Sequence, residues 1–100
     1  MSASGLQQFE AIAIVGLGLI GGSVAKDVRR LGLAKQILGY ENNKEYHKDI
    51  KSVELTDYLS DSPDEKLAKA ELVLLAVPVK SFKEVLPIIL QNISSTAILT

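Results

Sequence analysis

The sequence predicts an α/β fold, a doubly wound parallel sheet with helices on both of its faces. Two observations support this. Short apolar runs rich in β-branched residues alternate along the chain with amphipathic segments of helical period. A glycine-rich turn joins the first of these runs to the first helical segment. Because strands alternate with helices, we expect right-handed crossovers and parallel strands.

The first strand, first helix and second strand have the clearest boundaries. Residues 11–15 (AIAIV) are apolar on both alternating faces, as in a strand buried on both sides. Residues 20–31 predict a helix, and Gly32 can adopt the left-handed conformation that ends it. Residues 37–40 (ILGY) predict the second strand, which ends at Glu41. The apolar positions of the helix are Ile20, Val24, Val28 and Leu31.

The middle of the chain predicts a second helix, a weak strand and a short third helix. Asn42 or Asn43 is the expected cap of the second helix. The weak strand covers residues 55–59. Ser62 is the expected cap of the third helix, with Pro63 in its first turn. The apolar face of the second helix is predicted to consist of Tyr46, Ile50 and Val53.

The last part of the chain continues the alternation. Residues 72–77 (LVLLAV) predict a fourth strand, and residues 81–90 predict a helix that Pro87 should bend or shorten. A fifth strand begins at residue 97, and the sequence stops at Thr100. In sheets of this type, ligands bind beyond the carboxyl ends of the strands, and the sequence stops at this point of the fifth strand. We therefore expect a sheet that is truncated in or after its fifth strand.

Composition limits the classes of function. A chain of 100 residues with 47% hydrophobic content is sufficient for one domain with a single core. Residues 1–10 are polar, and we expect them to be a flexible lead-in. The net charge of −1, with interspersed charges, gives no basic surface for nucleic acid or for a membrane. The absence of cysteine excludes disulfides and thiolate metal sites and is consistent with the cytoplasm.

The glycine-rich turn carries the main functional signal. Gly16, Gly18 and Gly21 form the pattern G-x-G-x-x-G between a predicted strand and a predicted helix. Gly16 would permit the tight turn, Gly18 the approach of a pyrophosphate to the backbone, and Gly21 close packing of the helix on the strand. The free N–H groups at the helix start, including those of Leu19 and Ile20, would face the anion. Residues 11–100 are therefore predicted to be a dinucleotide-binding domain of the Rossmann type.

Glu41 is the predicted acidic partner of this turn. It lies at the end of the second strand, twenty residues after Gly21. Its carboxylate would accept hydrogen bonds from the adenosine ribose and repel a 2′-phosphate, which favours NAD over NADP. Lys44 is a nearby cation that weakens this preference. The alternative is that the glycines serve only packing and that Glu41 is a solvated residue at a strand end.

Other polar residues have simpler explanations. The acidic cluster of Asp61, Asp64 and Glu65 lies near a helix start, where carboxylates satisfy free N–H groups, so no metal site is predicted. His47 is the only histidine, and we interpret it as a solvated residue of the second helix. No catalytic residue is predicted within the chain.

Four segments resemble one family along most of the chain from residue 11. They are IAIVGLGLIGGSVA at 12–25, ILGYENN at 37–43, AELVLLAVPVKSFKEVL at 70–86 and AILT at 97–100. Together they resemble the amino-terminal domain of prephenate and arogenate dehydrogenases, the NAD(P)-dependent enzymes of tyrosine synthesis. The sequence Gly21-Gly22-Ser23 is the most specific part of this resemblance.

The resemblance implies oxidative decarboxylation, with hydride transfer to NAD, by the intact protein. It also implies that Val77 and Pro78 border the nicotinamide side of the cofactor, although Pro78 could simply end its strand. The family's catalytic histidine, its Gly-Ser motif and its helical dimerisation domain have no matching positions here. The fragment alone is therefore expected to be inactive, and a homodimer would form through the missing domain.

The chain departs from the family at two places. Glu41 stands where the family more often has aspartate, which preserves the ribose contact. Residues 51–59 lack the glycine expected between the second helix and the third strand. Two other functions remain open: a stand-alone module that binds or senses a dinucleotide, and the cofactor domain of a related NAD(P)-dependent reductase.

Overall fold

The fold consists of one parallel sheet and three α-helices, and the computed structural model describes it for residues 8–100. The predicted lead-in falls largely on residues 1–7, which lie outside the described residues. The first strand begins at Phe9, slightly earlier than predicted, because the Phe9 N–H donates to the Leu33 carbonyl at 2.9 Å. The elements are β1 (Phe9–Val15), α1 (Leu19–Leu31), β2 (Ala34–Tyr40), α2 (Lys44–Ser52), β3 (Tyr58–Ser60), β4 (Leu72–Leu75), α3 (Phe82–Asn92) and β5 (Ile98–Leu99).

The strand order confirms the predicted doubly wound sheet. The order is β3-β2-β1-β4-β5, and every pair is parallel. The chain first moves outward from β1 to β3 and then returns to place β4 on the other side of β1. This reversal creates a topological switch point between β1 and β4, where sheets of this type bind ligands.

Alternate residues of β1 pack on opposite faces of the sheet. Ile12 and Ile14 pack in one apolar cluster with residues of α1 and α2, such as Val28 and Ile50. Ala11, Ala13 and Val15 belong to the other cluster, which includes Ile89 of α3. A strand buried on both faces explains why the sequence of β1 is continuously apolar.

The ends of α1 and α2 are capped by different means. Gly32 has φ +64°, and the N–H groups of Gly32 and Leu33 donate to carbonyls of the last turn of α1, as the sequence predicts. The Asn43 side chain caps α2 by accepting a hydrogen bond from the Glu45 N–H. Glu54 has φ +51° just after α2 and occupies the left-handed position where a glycine was expected.

Several local predictions are wrong. The third helix is a short 3₁₀ segment, Glu65–Lys69, and its cap is Asp64 rather than Ser62, because the Asp64 carboxylate accepts from the Lys66 N–H at 3.1 Å. Val53 is exposed beyond the end of α2 and does not join the core.

Pro87 does not shorten α3, which continues to Asn92. Both Pro87 and Lys83 lie on the exposed side of the helix. Pro87 has no N–H to donate to the Lys83 carbonyl, and water can solvate that exposed carbonyl instead. Within residues 8–100, no helix combines the length and apolarity needed to cross a membrane.

Candidate functional site

The residues that follow four of the strands lie along one edge of the sheet. Val15 is in register with Tyr40 of β2 and with Leu75 of β4, and Tyr40 is in register with Ser60 of β3. The next residue of each strand is therefore brought to the same carboxyl edge. These residues are Gly16, Glu41, Asp61 and Ala76.

A crevice of about 560 Å³ opens at this edge. Its volume lies within the range of about 300–1,000 Å³ that is common for small-molecule sites. Every predicted cofactor-binding residue except Gly21 lines it, together with side chains from the start of α2 and the turn after β4. The lining residues are Gly16, Gly18, Leu19, Ile20, Glu41, Asn42, Asn43, Tyr46, Ala76, Val77, Pro78 and Ser81.

Gly16 and Gly21 pack too tightly against backbone to accept a side chain. A Cβ on Gly21 would lie 1.8 Å from the Gly16 carbonyl oxygen. Gly16 has φ +100°, and a Cβ there would lie 2.7 Å from the Ala76 carbonyl oxygen. These two glycines allow α1 and the turn after β4 to approach the end of β1 closely, and Gly21 contributes by packing rather than by lining the crevice.

Gly18 has the opposite environment. Apart from Gly18 itself and its two chain neighbours, no described residue has a heavy atom within 4 Å of the position that a Cβ on Gly18 would occupy. The adjoining helix α1 begins at Leu19 with no capping side chain and no acidic residue in its first turn. Helix N–H groups without a cap favour an anion, and the open space at Gly18 lets one approach.

Glu41 is buried, with 7% of its surface exposed, and both oxygens of its carboxylate accept hydrogen bonds. Oε1 accepts from the Leu17 N–H at 2.7 Å, and Oε2 accepts from the Asn43 N–H at 2.9 Å. Glu41 therefore connects the glycine-rich turn to the start of α2. The alternative interpretation of Glu41 as a solvated residue is wrong, because the carboxylate has specific backbone partners.

A smaller cavity of about 130 Å³ adjoins the crevice and shares Gly16, Glu41 and Val77 with it. Tyr40 forms part of its wall, and its hydroxyl donates to Asp64 Oδ1 at 2.9 Å. Burial and this hydrogen bond raise the pKa of Tyr40 well above its ordinary value.

Asp64 accepts a second hydroxyl hydrogen bond, from Tyr58. This bond and burial raise the pKa of Tyr58 as well. The predicted role of Asp64 at a helix start is confirmed by its bond to the Lys66 N–H, but the same carboxylate also anchors two tyrosines. Across residues 8–100, no group of three acidic or histidine side chains is arranged to hold a metal ion.

His47 is not the solvated residue that the sequence suggested. Its side chain is only 16% exposed, and Nε2 lies 2.5 Å from the Glu41 carbonyl oxygen and 3.6 Å from Asp61 Oδ1. Lys44 Nζ lies 3.8 Å from Asp61 Oδ2. Helical spacing could not place His47 and Asp61 together, since their proximity depends on the pairing of β3 with β2.

The sheet order, the glycine turn at the switch point and the buried carboxylate at the neighbouring strand end define a nucleotide-binding domain of the Rossmann type. Residues 24–100 match the family model described as "Prephenate dehydrogenase, nucleotide-binding domain". The chain belongs to this family.

Known proteins of the same type are similar to the chain. Cyclohexadienyl dehydrogenase of Zymomonas mobilis is 33% identical over 73 residues, which cover 73% of this chain and 25% of that protein. Prephenate dehydrogenase from A. aeolicus, solved in complex with hydroxyphenyl propionate and NAD+, has a TM-score of 0.76 and 30% identity. That match covers 94% of this chain and 32% of the solved one.

Arogenate dehydrogenase from Synechocystis is also similar, with a TM-score of 0.76 and 29% identity over 89% of this chain and 31% of that one. The chain thus spans about a quarter to a third of the length of these relatives.

Proposed function

We propose that this chain is the NAD-binding domain of a prephenate or arogenate dehydrogenase. The single observation that carries the proposal is the open space beside Gly18 at the uncapped start of α1. A pyrophosphate needs such space, and the free N–H groups at the uncapped helix start beside it favour an anion. The proposal is further supported by family membership and by the relative from A. aeolicus, which was solved with NAD+.

The pyrophosphate would rest against Gly18 and the first turn of α1. The N–H groups of Leu19 and Ile20 belong to that turn, and the positive end of the helix dipole favours negative charge there. Gly16 and Gly21 would act indirectly, since they allow the turn and the helix to pack where the anion binds.

Glu41 would bind the adenosine ribose. Each carboxylate oxygen can accept two hydrogen bonds, and each already accepts one from the backbone. One acceptor position on each oxygen is therefore left for ribose hydroxyls at the crevice. The existing bonds hold the carboxylate in place before a ligand binds, which reduces the entropic cost of binding.

The turn after β4 would border the nicotinamide half of the cofactor. Val77 and Pro78 line the crevice on the side of the switch point opposite to Glu41's strand. NAD bound there would accept the hydride released by an oxidised substrate. In this proposal residues 11–100 bind and orient the cofactor, and they supply no group for the proton-transfer step.

The remaining parts of the proposal rest on the family resemblance. The whole protein would act on prephenate or arogenate by oxidative decarboxylation, in the cytoplasm and as a homodimer. Nucleic acid and membranes are not expected partners, because the net charge is −1 and the charges are interspersed.

Calorimetric titration of the 100-residue chain with NAD+ and, in parallel, with NADP+ tests the cofactor assignment. Saturable binding with NAD+ preferred is the expected result. A chain that is folded by circular dichroism but binds neither nucleotide would overturn the cofactor assignment.

A further inference from the structure

We propose that Asp61 is a second residue that sets the preference for NAD over NADP, acting through Lys44. The inference rests on the proposed function, because it concerns the ribose end of the proposed cofactor site. It adds the residue that follows β3 to a specificity that sequence patterns assign to the end of β2 alone.

The position of Asp61 supports this role. Asp61 directly follows Ser60, which is in register with Tyr40, so Asp61 and Glu41 leave neighbouring strands at the same level. The Glu41 N–H donates to the Ser60 carbonyl at 2.9 Å, so the pairing of β2 with β3 continues to the carboxyl ends of both strands. Asp61 does not line the crevice itself but lines the smaller cavity that adjoins it, together with Glu41. A phosphate group on a ribose bound at Glu41 would therefore lie close to a second carboxylate, on the side of this smaller cavity.

The Lys44 ammonium is engaged by Asp61, and the His47 imidazole lies beside the same carboxylate. Lys44 Nζ lies 3.8 Å from Oδ2, and His47 Nε2 lies 3.6 Å from Oδ1. Lys44 is the first residue of α2, just after the end of β2, and a cationic side chain there would stabilise a 2′-phosphate. Asp61 draws Lys44 to its own carboxylate and adds a negative charge beside it, so it opposes the phosphate in two ways.

The contacts of Asp61 are poorly suited to a purely structural role. The Asp61 side chain is 55% exposed and that of Lys44 is 80% exposed. Exposed ion pairs contribute little to stability because water screens them and the side chains lose entropy. Substitution of Asp61 should therefore change nucleotide preference without unfolding the chain, and the two effects can be separated.

The test compares Asp61→Asn with Asp27→Asn in the 100-residue chain. Asp27 is a matched control, because it is an exposed carboxylate paired with Arg30 on α1 and its substitution changes the net charge equally. The Kd values for NAD+ and NADP+ are measured by calorimetry at low salt for the parent and both variants. A third variant, D61N/K44M, removes the cation that Asp61→Asn would release.

Asp61→Asn is expected to lower the ratio of the NADP+ Kd to the NAD+ Kd about fivefold or more, with Asp27→Asn close to the parent. D61N/K44M should lose much of that gain. Equal ratios for Asp61→Asn and Asp27→Asn in folded variants would overturn the inference while the proposed function stands. A folded parent that binds neither nucleotide would instead overturn the proposed function and, with it, this inference.

Discussion

The backbone N–H of Leu17 donates a hydrogen bond to Glu41 Oε1 at 2.7 Å. The bond joins the glycine-rich turn after β1 to the end of β2, and it is buried. The other oxygen of the same carboxylate accepts from the Asn43 N–H. Glu41 therefore shapes the turn and the start of α2 in addition to its proposed contact with the ribose.

Glu41→Ala should lower both stability and cofactor affinity. Loss of the carboxylate leaves the Leu17 and Asn43 N–H groups without their acceptors, which should cost about 1–3 kcal/mol of unfolding free energy. NAD+ should bind more weakly, and discrimination against NADP+ should be relieved. Urea unfolding and calorimetric titration measure the two effects.

Glu10→Ala is the control for that substitution. Glu10 pairs with Lys35 through an exposed side chain, so its loss should change the unfolding free energy by less than about 0.5 kcal/mol. If Glu41→Ala kept the nucleotide preference of the parent, Glu41 would not be the residue that sets it.

Gly18→Val should abolish cofactor binding with little effect on the fold. Gly18 has φ −71°, which other residues adopt readily, and the space for its Cβ is open. The side chain would occupy the proposed position of the pyrophosphate. Circular dichroism should show a folded chain, and calorimetry should detect no saturable binding of NAD+.

Gly21→Ala should have the reverse effect and destabilise the fold. Its Cβ would lie 1.8 Å from the Gly16 carbonyl oxygen, so α1 must move away from the turn, at a cost of about 3 kcal/mol or more. Urea unfolding checks this value.

Unchanged NAD+ affinity in folded Gly18→Val would contradict the assignment of the turn to the pyrophosphate.

Glu54→Gly should stabilise the chain by roughly 0.5–1 kcal/mol. Glu54 is exposed and has φ +51°, a conformation that costs energy for any residue with a Cβ. Gly32→Ala is the matched reverse change, because Gly32 has φ +64° and open space around its Cβ position. It should destabilise by about 1 kcal/mol.

Thermal and urea unfolding of both variants would measure these differences. A loss of stability in Glu54→Gly would mean that contacts of the Glu54 side chain outweigh its backbone strain.

The free energy of unfolding should fall at alkaline pH because of Tyr40. Its pKa in the folded chain is raised, so above about pH 10 the unfolded chain loses a proton that the folded chain retains. The stability that Tyr40 contributes is therefore complete below that pH and is lost as the pH rises. Urea unfolding between pH 7 and 11, a range set by the tyrosine reference value of about 10, measures the decline.

Tyr40→Phe should make this decline less steep and should cost about 1 kcal/mol at neutral pH, because Asp64 loses one donor. Tyr46→Phe is the control, since Tyr46 is 47% exposed on α2. Identical alkaline profiles for the parent and Tyr40→Phe would show that ionisation of Tyr40 is not linked to unfolding.

The sequence by itself determined the alternation of strands and helices and the position of the glycine-rich turn. A strand buried on both faces, such as β1, requires a continuous run of apolar residues. The left-handed conformation at the end of α1 favours glycine, and Gly32 occupies that position. Both features can therefore be predicted from the local sequence. The interval from Gly21 to Glu41 likewise reflects the length of one helix and one strand.

Only the tertiary structure decided which side chains meet at the carboxyl edge. The bond from Leu17 to Glu41, the approach of Asp61 to Lys44 and His47, and the two tyrosines on Asp64 all join residues from different elements. Local sequence patterns report periodicity and capping, whereas these contacts depend on the register between parallel strands. That register is set by the packing of every crossover at once, which no single segment encodes.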